Sequence, residues 1–229
     1  MAKKTALAVY MDEIAVEVHK YLKTLGYRKF GHTYNRETEP GLIQVINLQA
    51  APYFSSLYGL FTVNLSIYIQ EADETFMGQP RMDRYIKEYA GKFRERLNDL
   101  MVGGSEILHH YDPKSRWWRI EDNTTGISTE IVFLLQKYGQ PYLDEYASRQ
   151  AILHYWSTIE GNVPEIRLED EAFGIRRIVA CILAKQGETQ TAKQYLQDEY
   201  DLLLKDWHQG RKEYTLKLAQ RLGITLDTQ

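Results

Sequence analysis

Apolar residues recur near the start of the chain with the period of a helix: Leu7, Met11, Ile14, Val18, Leu22 and Leu25 stand four, three, four, four and three positions apart. That spacing gathers them on one face, and Gly26 supplies a C-terminal cap. The pattern then changes. Tyr27–Arg36 is aromatic and basic around Gly31, Glu39-Pro40-Gly41 is a turn signal, and Leu42–Leu48 is rich in β-branched residues. Together these predict a hairpin. From Leu60 to Gln70, Phe61, Val63, Leu65, Ile67 and Ile69 alternate with Thr62, Asn64, Ser66, Tyr68 and Gln70. This is the period of a strand with one buried and one polar face, as in a sheet covered on one side.

Asp73–Pro80 reads as a polar loop, after which Met82, Ile86, Tyr89 and Phe93 return to helical spacing. Phe93–Met101 fits either a continuation of that helix or a new strand, and Gly103-Gly104 ends it in both cases. Arg116-Trp117-Trp118-Arg119-Ile120 is one more short strand, closed by a turn at Asn123–Gly126. Beyond Ile127 the pattern predicts helices over Ser128–Tyr138, Pro141–Ala147, Arg149–Ile159, Glu169–Gln186, Thr189–Asp206 and Arg211–Leu222.

One helix, a run of strands and then helices is the order of an α+β domain, not of alternating βαβ units. The expected architecture is one antiparallel sheet of about four strands, an N-terminal helix on one face and a helical C-terminal half. Gly161–Glu165 is the expected linker, dividing an α+β domain at residues 1–160 from a helical hairpin plus terminal helix at 161–229 that packs on it. Within the latter, Leu183-Ala184, Gly187, Ala192 and Leu196 have the offsets of a tetratricopeptide-type repeat. Only one repeat is visible, and stacked repeats need about three to bury a core, so a packed hairpin is expected in place of a peptide-binding solenoid.

Composition narrows the class. The 229 residues are 44% hydrophobic and 26% charged, which excludes disorder and low complexity. With 28 Lys and Arg against 31 Asp and Glu the net charge is −3, so an obligate nucleic-acid partner is not expected. No window approaches the roughly 18 consecutive apolar residues of a membrane span. Lys3-Lys4 and the stretch to Met11 are cut short by Asp12-Glu13, which fits a helix better than a signal peptide. The lone cysteine, Cys181, lies in the apolar run Ile178–Leu183. It forms no intramolecular disulfide and is expected to be inert in a reducing, cytoplasmic setting.

Motifs with chemistry are scarce. No phosphate-binding glycine loop, hydrolase elbow or zinc-type spacing occurs, and His109-His110 with Asp112 point apart on an extended segment. Neither a metal nor a cofactor is expected. Six segments in order do carry a resemblance: Leu25-Gly26-Tyr27-Arg28-Lys29, Tyr34-Asn35-Arg36, Ile43–Gln49, Phe61-Thr62-Val63-Asn64-Leu65, Phe93-Arg94-Glu95-Arg96-Leu97 and Trp117-Trp118-Arg119-Ile120. Over about residues 5–160 the chain resembles the bacterial family catalogued as domain of unknown function 4304. The resemblance implies an N-terminal helix, an antiparallel sheet and trailing helices, and it implies no activity. The family often has His-Phe-Arg where this chain has Lys92-Phe93-Arg94, and Gly where it has Ser66 and Asn98.

Candidate binding residues follow from the strands. Gln44, Asn47, Gln49 and Asn64 are amides among aliphatic neighbours; they either pair across the sheet or form a polar binding patch. Arg94 and Arg96 share a face if their segment is a strand, but stand about 200° apart on a helix. On a strand they could clamp an anion, or else serve as structural charges paired with Glu95, Asp99 or a helix carboxylate. Of Trp117 and Trp118, a strand sends one ring to the core and leaves the other for recognition. Arg94, Arg96, Asn64, Gln49, Trp117 and Trp118 therefore make up the candidate ligand site. The 17 tyrosines suit either core margins or a recognition surface. The expected role is a non-enzymatic protein that binds another macromolecule, of immunity or adaptor type. The alternative is an enzyme or sensor that holds an anionic small molecule in the Arg/Asn/Gln/Trp patch.

Overall fold

The structure, a computed structural model, describes residues 4–53, 56–101, 108–160, 171–203 and 209–228. The Thr5 side chain accepts a hydrogen bond from the Ala8 N–H and opens helix α1, Ala6–Thr24. The apolar stripe buries Met11, Ile14, Val18 and Leu22 together with Ala15, while Leu7 and Leu25 at its ends are half-buried. Gly26 ends the helix at φ +88°, and the Tyr27 N–H reaches back to the Leu22 carbonyl at 3.1 Å.

Seven strands follow: β1 Arg28–Phe30, β2 Thr33–Glu39, β3 Leu42–Ala50, β4 Leu60–Ile69, β5 Lys92–Arg96, β6 Tyr111–Asp112 and β7 Trp117–Arg119. They form one sheet of order β1-β2-β3-β4-β7-β6, with β5 also paired to β4. The protein is thus α+β, with an antiparallel sheet larger than the expected four strands. Three of the strands are only two or three residues long, too short to show a period of two in sequence.

Helix α3, Thr124–Leu134, begins where a turn was expected at Asn123–Gly126, because the Asn123 side chain accepts from the Gly126 N–H and caps it. A π-helical turn, Leu135–Gly139, carries it into α4, Gln140–Asp144. Helices α1 and α3 pack together, and the Tyr34 hydroxyl donates to the Ala15 carbonyl at 2.7 Å. On this face of the sheet lie Tyr34, Ile46, Leu48, Phe61, Val63 and Leu65, all buried. Gln44 shares it and is satisfied, accepting from Tyr27 and Arg36 and donating to the Leu143 carbonyl.

Two sequence expectations fail in the middle of the chain. Helix α2, Gln70–Met77, runs into the stretch Asp73–Pro80 that was expected to be a polar loop. Its buried positions are Glu71, Ala72 and Asp73, so no apolar stripe announces it. Bidentate arginine pairs hold the two acids, Arg149 on Glu71 at 2.6 and 2.8 Å and Arg81 on Asp73 at 2.8 and 3.1 Å. Conversely, Met82–Phe93 is not a helix: it runs irregularly with a single 3₁₀ turn at Glu88–Ala90 before entering β5. Of its four periodic residues only Ile86 is buried, while Met82 is 92% exposed.

Contacts divide the chain into two compact units, Met1–Tyr68 with Asp83–Ala147, and Ile69–Met82 with Ser148–Gln229. That division falls at Ala147 and Ser148, whereas the sequence placed one at 160 and 161. The linker expected at Gly161–Glu165 and the Gly103-Gly104 pair lie outside the described residues. The second unit is helical, built from α2 and from α5 Arg149–Glu160, α6 Glu171–Lys185, α7 Thr189–Leu202 and α8 Gln209–Arg221. Helices α6 and α7 form the expected hairpin around Gly187, burying Ile178–Leu183 against Ala192 and Leu196. Cys181 is fully buried in that hairpin. Among the described residues no helix is long and apolar enough to cross a membrane.

A polar cleft on the second face of the sheet

The opposite face of the sheet carries Thr33 and Asn35 of β2, Val45, Asn47 and Gln49 of β3, and Asn64, Ser66 and Tyr68 of β4. The register pairs Thr33 with Asn47 and Asn35 with Val45, and an Asn64 to Gln49 hydrogen bond of 2.7 Å joins β4 to them. The alternation in β4 predicted that this face would be open, yet Thr62, Asn64, Ser66 and Tyr68 are all buried. The cover is the segment Asp83–Gly91. Asn35 binds it with both halves of its amide, accepting from the Ile86 N–H and donating to the Ile86 carbonyl, each at 2.9 Å. The Ser66 hydroxyl donates to the Glu88 carbonyl at 3.0 Å. Phe30 and Tyr85 stack with centroids 4.9 Å apart, and Ile86 and Ala90 pack on Val45 and Tyr68. Gly91 permits the approach, because a Cβ there would sit 2.2 Å from Ser66 Oγ.

Between this cover and the sheet lies a cleft of about 320 Å³ lined by Thr33, Asn47, Gln49, Tyr85, Lys87, Glu88, Tyr89 and Arg94. Its volume is at the lower end of the roughly 300–1,000 Å³ typical of small-molecule sites. Arg94 comes from β5, so the undecided stretch Phe93–Met101 is a strand as far as Arg96 and ends in a 3₁₀ turn at Asp99–Met101. A register shift between Leu65 and Ile67 bulges β5, and Phe93 there takes φ +46°. Phe93 packs on Tyr146 with centroids 4.4 Å apart, while Arg94 turns to Glu88. Arg94 Nε and Nη2 donate to the two Glu88 carboxylate oxygens at 2.7 and 3.1 Å. This bond to Glu88 raises the Arg94 pKa further above its already high ordinary value. The Glu88 side chain is buried, but Arg94 is 55% exposed.

The candidate site residues are therefore partly brought together. Gln49 and Arg94 line the cleft, and Asn64 holds the Gln49 carbonyl, turning its NH₂ outward. Arg96 stands opposite Asn64 in the β4–β5 register but outside the cleft lining. Its guanidinium lies over the Trp117 ring, 5.4 Å from the centroid. Trp118 is the core member of the tryptophan pair, fully buried against Phe61 and Tyr111. The carboxylate that holds Arg94 is Glu88, in the 3₁₀ turn Glu88–Ala90, while Asp99 pairs with Arg116. Sequence reasoning missed Thr33, Tyr85, Lys87, Glu88 and Tyr89 as lining residues. Four of those five lie in the stretch taken for a helix, where Gly91 was the one signal against that assignment. His110 contacts Glu121 and Asn123, and among the described residues no metal-ligating cluster exists.

A seven-stranded antiparallel sheet with helices on one face and a strap-covered cleft on the other defines an α+β fold. The chain belongs to the family described as Domain of unknown function (DUF4304), whose model matches residues 18–145. Every residue lining the cleft falls inside that match. No curated protein and no solved structure matches the chain.

Proposed function

We propose that this protein is a binding module that holds a small anionic molecule in the cleft between the polar face of the sheet and the Asp83–Gly91 segment. The observation that carries this reading is the lining itself: two cations, Lys87 and Arg94, and one carboxylate, Glu88, which Arg94 binds, line the cleft beside the Gln49 and Asn47 amides. Arg94 commits two of its donors to Glu88 and keeps Nη1 for a ligand. Gln49 Nε2, the Lys87 ammonium and the hydroxyls of Tyr85 and Tyr89 complete a ring of donors that suits a carboxylate or phosphate. Glu88 then acts as the brace that fixes the Arg94 fork.

The test is an amide-resolved NMR titration of the full chain with succinate and with inorganic phosphate. Saturable shifts of the Gln49 and Asn47 side-chain amides are expected, with affinity lowered about tenfold or more by Lys87→Ala, since a charge-assisted hydrogen bond contributes about 1.5–3 kcal/mol. Lys87 is exposed and its removal leaves no buried charge. Shifts that never saturate, or that survive Lys87→Ala and Arg94→Lys unchanged, overturn the reading.

A second reading, an adaptor or immunity-type protein that binds another macromolecule, draws on a different surface. Tyr53 and Tyr58, which lie in the connection between β3 and β4, meet edge to face with centroids 4.7 Å apart and are 75% and 45% exposed. Exposed tyrosines supply contact area at low entropic cost. Loss of partner capture by Tyr53→Ser with cleft binding intact would favour it. The buried free thiol of Cys181 suits a bacterial cytoplasm on either reading.

A further inference from the structure

Hydrogen bonds within the cleft decide which atom each lining side chain leaves for a ligand, and the atoms left over are of both kinds. Gln49 Oε1 accepts from Asn64 at 2.7 Å, which leaves the Gln49 NH₂ as a donor. Asn47, two positions away on the same face of β3, is set the other way round. Its NH₂ donates to Thr33 Oγ1 at 2.9 Å and to the His32 carbonyl at 3.4 Å, so the acceptor Oδ1 is what remains. Arg94 keeps Nη1 as a donor. A carboxylate has about four lone-pair sites, and Arg94 fills two of those on Glu88, so Glu88 retains acceptor capacity in the lining.

A pure anion answers the donors but turns its oxygens toward Asn47 Oδ1 and Glu88 as well, and facing like charges are unfavourable. A ligand with a charged donor beside its anionic group answers both sets. In an α-amino acid a single carbon separates the ammonium from the carboxylate, a spacing close to that of the Arg94–Glu88 pair at 2.7 and 3.1 Å. Laid head to tail against that pair, its carboxylate meets the arginine and its ammonium meets the glutamate. With Lys87 the charged lining is two cations and one carboxylate, and its surplus positive charge matches a second carboxylate on the ligand.

We propose, building on the reading of the cleft as a small-anion site, that its ligand is a free acidic α-amino acid. The α-carboxylate accepts from Arg94 Nη1 and the Gln49 NH₂, and the α-ammonium donates to Asn47 Oδ1 and to the Glu88 carboxylate. The side-chain carboxylate pairs with Lys87.

The test is the same NMR titration of the full chain, extended to two pairs of ligands that differ only by the α-ammonium: succinate with L-aspartate, and glutarate with L-glutamate. In at least one pair the amino acid should bind about tenfold or more tightly than its diacid, since hydrogen bonds to a charged group are the stronger kind. L-Malate, whose hydroxyl donates without a charge, should fall between succinate and L-aspartate. Glu88→Gln, which sets an amide where the ammonium needs a carboxylate, should bring the affinity ratio within the pair close to one. If that variant does not fold or binds neither ligand, Asn47→Ala replaces it and should narrow the same ratio. Saturable binding of the diacids with no gain from the ammonium overturns this inference and leaves the small-anion reading standing. An L-malate affinity equal to that of L-aspartate, or a preference undiminished in the variants, overturns it too. No saturable binding of any of these ligands overturns both.

Discussion

The two faces of the sheet are covered by different physics. On one, α1 and α3 lay Met11, Ile14, Val18, Leu22, Ile127 and Ile131 over strand residues that are almost all apolar, and burial stabilises it. On the other, a strap without regular structure is held by an asparagine clamp, a serine hydroxyl, one stacked ring pair and a small apolar cluster. Apolar packing is non-directional and tolerates change if volume is kept, whereas each polar attachment fails when a single atom moves. The helical face is built for stability. The strapped face relies less on apolar burial and presents polar and charged groups around a cavity.

This contrast can be broken most forcefully on the helical face. Ile14→Ala should lower stability by about 2–5 kcal/mol, seen as a clear fall in melting temperature. An unchanged melt would mean that α1 does not carry the fold. On the strapped face, Gly91→Ala drives a methyl against Ser66, and overpacking of this kind costs about 1–3 kcal/mol. Reduced stability together with loss of the Ser66 to Glu88 attachment is expected, the latter visible as faster exchange of the strap amides. Asn35→Ala should cost less, about 1–2 kcal/mol, and accelerate exchange of the Ile86 N–H specifically. If exchange quickens equally in α1, the faces are one cooperative unit and the contrast is wrong. The smallest effect concerns pH. Burial raises the phenol pKa values of Tyr27 and Tyr34, both on the helical side. The native state then holds protons that the unfolded chain releases near pH 10, so stability is complete below about pH 10 and falls above it. A spectrophotometric titration should show both tyrosines ionising only as the protein unfolds.

Legibility in the sequence followed the same division. Helix α1, strand β4 and the α6–α7 hairpin were readable because aliphatic residues repeat there with one period over ten or more positions. Helix α2 was not, because arginines from elsewhere in the chain bury its acids, and an ion pair leaves no local pattern. The strap was misread for the converse reason: Met82, Ile86, Tyr89 and Phe93 have helical spacing by composition, but a distant amide on β2 dictates the backbone at Ile86. Arg94 and Gln49 were found as site residues because a charged or amide side chain inside a strand is conspicuous. Lys87 and Tyr89 sit among other polar residues and had nothing to mark them.

Helix α2 has one more implication, for how a piece of this protein can be handled alone. The family match stops at residue 145, yet α2 lies within it, and Glu71 is neutralised by Arg149 from beyond that limit. The Arg221 guanidinium, further still along the chain, caps the Thr75 and Phe76 carbonyls at the end of the same helix. A fragment trimmed to the matched residues would therefore keep this acidic helix and Arg81 on Asp73 while discarding Arg149 and Arg221. The stretch that matches the family and the stretch whose ion pairs hold α2 are different lengths of chain.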